Sequence, residues 1–202
     1  MIGAIITAAG TSSRMGRPKA TLRLGSKTFL ETVISGCQAA GIRRRVVVLG
    51  ADMDKVLSII DLNNEKVVQN PAPESGPIGS IRLALAALVN HPVEAVLVWH
   101  VDRPHVAVST VTKLVGRVRR GGASIVLPAF HGARGHPVVF ARTVFEELLS
   151  APEDEGARAV VRADPQRVAI VPVDDPAVVE DIDTPEDYRR LLRQVRARDP
   201  SL

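Results

Sequence analysis

The segment Ala8-Ala9-Gly10-Thr11-Ser12-Ser13-Arg14-Met15-Gly16-Arg17-Pro18-Lys19 places two glycines and three hydroxyl side chains beside the cations Arg14 and Lys19. Small residues let a backbone approach a ligand closely, glycine permits turns closed to other residues, and successive N–H groups can cradle a phosphate. Arg14 adds a planar fork of donors and Lys19 a mobile point charge. The chemistry this favours is polyphosphate binding by Ala8, Ala9, Gly10, Thr11, Ser12 and Ser13, with Arg14 and Lys19 neutralising charge. The spacing matches neither the P-loop, which closes on Gly-Lys-Ser/Thr, nor the Gly-x-Gly-x-x-Gly dinucleotide fingerprint.

Further along, Asp102 follows an apolar run in Trp99-His100-Val101-Asp102-Arg103-Pro104. Mg²⁺ takes one or two protein carboxylates and completes its shell with water and substrate phosphates, so a strand-end Asp suits it; a turn-capping Asp is the alternative. Gly76-Pro77-Ile78-Gly79-Ser80-Ile81-Arg82 opens a helix whose first N–H groups could face an anion, with Ser80 as a further donor. Equally, Pro77 is an ordinary first helical residue and Arg82 a solvated side chain. His136, in Gly135-His136-Pro137, could act as a base, a hydrogen-bond donor or a turn residue. His91, His100, His105 and His131 lack metal-ligand spacing, so no zinc site is expected. Near the end of the chain, Thr184 reads as a helix N-cap with Pro185 in the first helical position; Glu186 and Asp187 suit its positive end.

These groups need elements to hold them. Ile2–Thr7, Arg45–Leu49, Ala95–Trp99, Ser124–Leu127 and Val168–Val173 are continuously apolar, as strands covered on both faces are. Between them Phe29–Ala40, Pro77–Val89, Val108–Val118 and Thr143–Leu149 carry apolar residues at helical spacing. The alternation predicts an α/β fold with a mostly parallel sheet, and a small β excursion around residues 128–140, where Gly and Pro are dense. Ligands in such folds sit outside the carboxyl ends of the strands, which is where both the glycine loop and Asp102 fall.

At 202 residues the chain is expected to form one domain, residues 1–202. Its formal charge is +4, and only 3% of its residues are aromatic. That leaves little material for base stacking and argues against nucleic acid. A small anionic ligand explains the excess better. No apolar run reaches the roughly 20 residues of a membrane span. Cys37 is the only cysteine, which excludes an internal disulfide and fits a cytoplasmic protein. The clusters Arg43-Arg44-Arg45 and Arg117, Arg119, Arg120 are expected to complement exposed carbonyls, and Arg189, Arg190, Arg193, Arg196 and Arg198 to form a solvated face.

The run Thr7–Gly16 with Lys19 resembles the signature of the MobA-like nucleotidyltransferases, and within them the molybdenum cofactor cytidylyltransferases. The resemblance continues in order through Asn70-Pro71, Gly76–Arg82, Asp102-Arg103-Pro104, Gly132–Pro137 and Asp181–Asp187. It implies a single-domain, Rossmann-like three-layer α/β/α nucleotidyltransferase fold and transfer of CMP from CTP to the phosphate of a molybdopterin-type substrate. It further implies Mg²⁺ on Asp102 and Asp183, with Asp181 as the alternative to Asp183. Nucleotide contacts would extend to Gly76 and Ser80, and acceptor contacts to Arg82, Arg103, Gly135 and His136. Relatives that use GTP carry a second glycine where this chain has Ala9, whose methyl group would narrow the pocket against a purine. Arg103 departs from the Gln or Met usual in relatives. A molybdoenzyme or its maturation factor would be the protein partner, with the chain a monomer or weak dimer. The alternatives are a GTP-using, phosphosugar or phospho-acid nucleotidyltransferase and a non-catalytic nucleotide-binding partner in molybdoenzyme assembly.

Overall fold

The apolar runs become strands because each can be covered on both faces by the helices that follow it. In a computed structural model describing residues 1–198, the order is β1 (Ile2–Ala8), β2 (Arg23–Leu24), β3 (Lys27–Thr28), α1 (Phe29–Ala39), β4 (Arg44–Leu49), α2 (Met53–Leu57), β5 (Lys66–Gln69) and α3 (Gly76–Leu88). Then come β6 (Ala95–His100), α4 (Val108–Arg119), β7 (Ile125–Phe130), β8 (Ala133–Arg134), β9 (Val138–Ala141), α5 (Phe145–Ser150), α6 (Ala157–Ala163), β10 (Val168–Pro172) and α7 (Pro185–Arg198). β2 and β3 pair as a separate two-stranded sheet.

The main sheet runs β10-β7-β9-β6-β1-β4-β5, with β8 paired to β7. β1 is parallel to β4 and β6, β4 to β5 and β10 to β7; β9 is antiparallel to both β6 and β7. The predicted excursion is therefore partly a full member of the sheet: β9 lies between β6 and β7 and is buried over Val138, Val139 and Phe140.

Alternation along each strand feeds two cores. On β1, Ala4 and Ile6 pack with Phe29, Leu30 and Val33 of α1 and Leu114 of α4, while Ile5 packs on the other face with Ile78, Ile81 and Leu85 of α3. The result is the three-layer α/β/α arrangement. α1 starts on a capping box: Glu31 N–H donates to Thr28 Oγ1 at 3.2 Å, and Thr28 N–H donates to Glu31 Oε2 at 2.7 Å. Gly36 of α1 sits against Trp99, where a Cβ would lie 2.7 Å from the indole ring.

Arg45 is buried. It donates to the Ile42 carbonyl at 2.8 Å, as expected of a cation at a strand start, and also holds Glu65 through two bonds of 2.8 and 2.6 Å. Removing one partner of a buried pair leaves the other desolvated and uncompensated, which costs about 3–5 kcal/mol. Glu65→Ala is accordingly expected to lower unfolding stability by about that amount. A denaturant midpoint equal to that of the wild type would show the pair to be energetically idle.

Successive strands run from β1 outward to β4 and β5, whereas β6 lies on the other side of β1. The carboxyl ends of β1 and β6 therefore border a topological switch point, the crevice where open α/β sheets take ligands.

Candidate active site

A cleft of about 400 Å³ opens at that switch point, lined on one side by residues 7–14 and Lys19. Its floor is set by a close approach: a Cβ on Gly50, at the end of β4, would lie 2.3 Å from the Ala9 carbonyl oxygen, so only glycine lets the loop settle there. Ser12 adopts a left-handed conformation (φ 50°) and begins a single 3-10 turn over Ser13–Met15, closed by Gly16 at φ 67°. Lys19 N–H donates to Ser12 Oγ at 3.2 Å, tying the two ends of the loop together. At Gly10 the loop faces open space, with no atom within 4 Å of where a Cβ would stand.

Lys19 Nζ joins two carboxylates, donating to Asp102 Oδ2 at 3.3 Å and to Asp183 Oδ1. Arg14 Nη2 reaches Asp183 Oδ2 at 2.9 Å. The hydrogen bond from Lys19 is the largest influence holding the Asp183 carboxyl below its ordinary range, and Arg14 adds to it. Asp102 Oδ1 is buried and, among the described residues, has no hydrogen-bond partner. Two bonds fix its turn: Trp99 Nε1 donates to the Arg103 carbonyl at 3.0 Å, and Ile182 N–H donates to the Asp102 carbonyl at 3.0 Å. The second brings residues 181–183 to the end of β6. α7 holds that segment from below with the expected Thr184 cap, completed by Asp187. Thr184 N–H donates to Asp187 Oδ2 at 2.9 Å, and Asp187 N–H to Thr184 Oγ1 at 3.2 Å.

Asp181 lies 2.5 Å from Arg103 Nη2, and burial is the main influence raising its pKa. Arg103 also donates to the Val178 carbonyl, so although it lines the cleft its guanidinium braces the segment carrying Asp181 and Asp183. Among the described residues no cluster of three or more His, Cys, Asp or Glu side chains could hold a metal unaided. The orphaned Asp102 oxygen, with Asp183 beyond Lys19, fits a cation whose remaining ligands are water and phosphate oxygens.

The other wall holds two histidines. Thr7 Oγ1 and His100 Nδ1 share a hydrogen bond of 2.6 Å, and the His100 and His136 ring centroids are 4.6 Å apart. Burial, then the charges of His100, Arg103 and Arg158, push His136 down to about 2. Burial likewise lowers His100 and His105. Burial disfavours the charged form of all three rings in the folded protein, while in the unfolded chain they take up protons near 6.5. The unfolded state binds more protons as pH falls below that value, so stability present above it is expected to be lost progressively toward acid. Denaturant midpoints should drop between pH 7.5 and pH 5, with a shallower slope in His136→Gln; a slope equal to that of the wild type would remove His136 as a cause.

Most of the residues singled out in the sequence meet in this cleft: Ala8 to Arg14, Lys19, Gly76, Ser80, Asp102, Arg103, His136 and Asp183. Ser80 is buried and accepts from Asn70 Nδ2 at 3.1 Å. Gly135 and Arg82 do not line it. Gly135 serves packing, since a Cβ there would lie 2.2 Å from the Val178 carbonyl oxygen. Arg82 turns away to the Ala151 carbonyl and to Glu153, 3.4 Å distant. His100 and Arg158 line the cleft without having been expected there. His100 could have been found from its place at the end of an apolar strand; nothing local marks Arg158.

A phosphate-suited loop and two carboxylates at the switch point define a nucleotide-binding α/β protein. The chain belongs to the MobA-like NTP transferase family, whose domain matches residues 4–169. It is 33% identical over 195 residues to nicotine blue oxidoreductase of Paenarthrobacter nicotinovorans, covering 93% of this chain and 95% of that one. It is 28% identical over 190 residues to the molybdenum cofactor cytidylyltransferase of Escherichia coli (strain K12), covering 93% of each. Among solved structures it resembles Rv0371c of Mycobacterium tuberculosis H37Rv, with TM-score 0.85, 31% identity and coverage of 95% and 97%. That protein is also known in complex with manganese, matching at TM-score 0.79 and 28% identity over 95% and 98% of the two chains. No helix among the described residues is long and apolar enough to cross a membrane.

Proposed function

We propose that the protein transfers CMP from CTP to the phosphate of a molybdopterin-type acceptor and releases pyrophosphate. The observation that carries this is the buried, unpartnered Asp102 Oδ1 beside Lys19, facing a backbone loop that suits phosphates. Backbone N–H groups from Ala8 to Ser13 bind the triphosphate, and Arg14 and Lys19 neutralise its charge. The phosphates draw both cations from Asp183, freeing that carboxylate. Asp102 and Asp183 would hold Mg²⁺, which would neutralise charge on the phosphate oxygens; the manganese complex of Rv0371c supports a divalent ion in this family. An acceptor phosphate oxygen attacks the α-phosphorus in line as the bond to pyrophosphate breaks. The substrate brings its own nucleophile, so the protein supplies position and charge.

Ala9, standing where GTP-using relatives carry a second glycine, supports CTP over GTP. The E. coli relative supports the same choice. Protein partners would be a molybdoenzyme or its maturation factor. The similarity to an oxidoreductase gives a second reading, in which the same cleft seats a dinucleotide for electron transfer. Pyrophosphate release measured over four nucleotides, with and without molybdopterin, is expected only with CTP and acceptor together. Equal or better use of GTP would overturn the base assignment. CTP binding without release would make the chain a non-catalytic partner, and oxidation of a nicotinamide dinucleotide without release would favour the second reading.

A further inference from the structure

The cations lining the cleft are mostly committed to carboxylates of the protein itself. Arg14 pairs with Asp183, Lys19 with Asp102 and Asp183, and Arg103 with Asp181. Arg158 differs. It is exposed, lines the cleft and, among the described residues, makes no ion pair or hydrogen bond. Its charge also bears on His136, which precedes β9 by two residues and lines the same cleft.

The side chain projects from a well-held support. Gly156, with φ 59°, donates its N–H to the Pro152 carbonyl at 2.7 Å and starts α6, and Val160 buries that helix in the core with Ile78 of α3. Arg82 fastens the approach from α3 by donating to the Ala151 carbonyl, with Glu153 3.4 Å away.

Position along the sheet then assigns the ligand. The phosphate loop follows β1, whereas His136 precedes β9, two strands away in the order β1-β6-β9. At about 4.8 Å per strand the two sides lie roughly 10 Å apart. A transfer reaction must bring a second anion against the nucleotide's phosphates, and that anion needs a cation on the side the loop does not serve.

We propose that Arg158 binds the acceptor's phosphate monoester through its guanidinium, whose planar fork matches two phosphate oxygens. This rests on the transferase reading above. Arg158 is then an acceptor-specificity residue that plays no part in holding CTP.

The test compares the full-length wild type, Arg158→Gln and Arg158→Lys in pyrophosphate release, varying molybdopterin and CTP separately, with CTP affinity measured by calorimetry and folding checked by thermal melting. Loss of a charge-assisted pair is expected to raise the KM for molybdopterin at least about tenfold in Arg158→Gln and less in Arg158→Lys. The KM and Kd for CTP should stay within about twofold of the wild type, well short of the tenfold that loss of a charged contact would bring. An unchanged acceptor KM overturns the proposal while leaving the transferase reading intact. A matching loss of CTP affinity also overturns it, by placing Arg158 on the nucleotide. Absence of release by the wild type with every nucleotide overturns the transferase reading and this proposal with it. Should the Gln variant fail to fold, the Lys variant is judged by the same criterion.

Discussion

Asp102→Asn is expected to lower turnover by about 10³-fold or more, equivalent to about 4 kcal/mol of lost transition-state stabilisation, while leaving the fold intact. The substitution keeps the shape of the side chain and removes only its charge. Its neighbours tolerate that: Oδ2 meets Lys19 at 3.3 Å, and an amide oxygen can accept the same bond. The turn is held by backbone groups of Asp102 and Arg103, which the variant retains. What is lost is the buried Oδ1 anion, the oxygen with no partner among the described residues. The loss should therefore fall on Mg²⁺-dependent turnover and on the Mg²⁺ concentration needed to reach half of it, with the melting temperature unchanged. Near-normal turnover by the folded variant would remove Asp102 from the mechanism.

Lys19→Met is expected to cost about 10²–10³-fold in turnover, the scale seen when one donor to a developing anionic centre is removed. Methionine preserves most of the length of a side chain that is only 13% exposed, so packing changes little. Without the ammonium, Asp102 and Asp183 lose the group between them, and the chief influence lowering the Asp183 pKa disappears. With Asp102 left unpaired and Asp183 keeping only Arg14, the two carboxylates should take a divalent cation more readily. Mg²⁺ added without nucleotide should raise the melting temperature more in Lys19→Met than in the wild type, even as turnover falls. Turnover within about threefold of the wild type, far above the loss expected for a phosphate donor, would reduce Lys19 to a structural tie.

Much of the scaffold was legible because it follows from short-range pattern. Every strand expected from a continuous apolar run appears within two residues of its expected bounds at the N-terminal end: β1, β4, β6, β7 and β10. α1, α3 and α4 follow the predicted helical spacing. Elements without such a pattern escaped. β5 is only partly buried and has Lys66 and Gln69 at its ends, so its sequence lacks the apolar run of its neighbours. α2 has only five residues, and in α6 Arg158 and Arg162 interrupt a short apolar stretch. β9 was legible only as an irregular stretch, since its pairing with β6 and β7 depends on a chain reversal between them.

Turn chemistry is local too. The left-handed Ser12, the glycines of the loop and the Thr184 cap act on neighbours a few residues away, which is why the phosphate loop and the start of α7 could be identified from residue types. The partners of long charged side chains are a different matter, because they depend on which distant segments meet. Arg14 and Asp183 are 169 residues apart in the chain, and Lys19 and Asp102 are 83 apart. Arg82 stood in a promising motif at the head of α3, yet the helix turns it toward Ala151 and Glu153. Arg158 stood in no motif, yet the packing of α6 against α3 brings it to the cleft with its charge unpaired among the described residues. The chemical inventory of the cleft belongs to the chain's local order; which cation is left free to meet a substrate was set by long-range packing, since a charge counts as free only after every carboxylate within reach has found its partner.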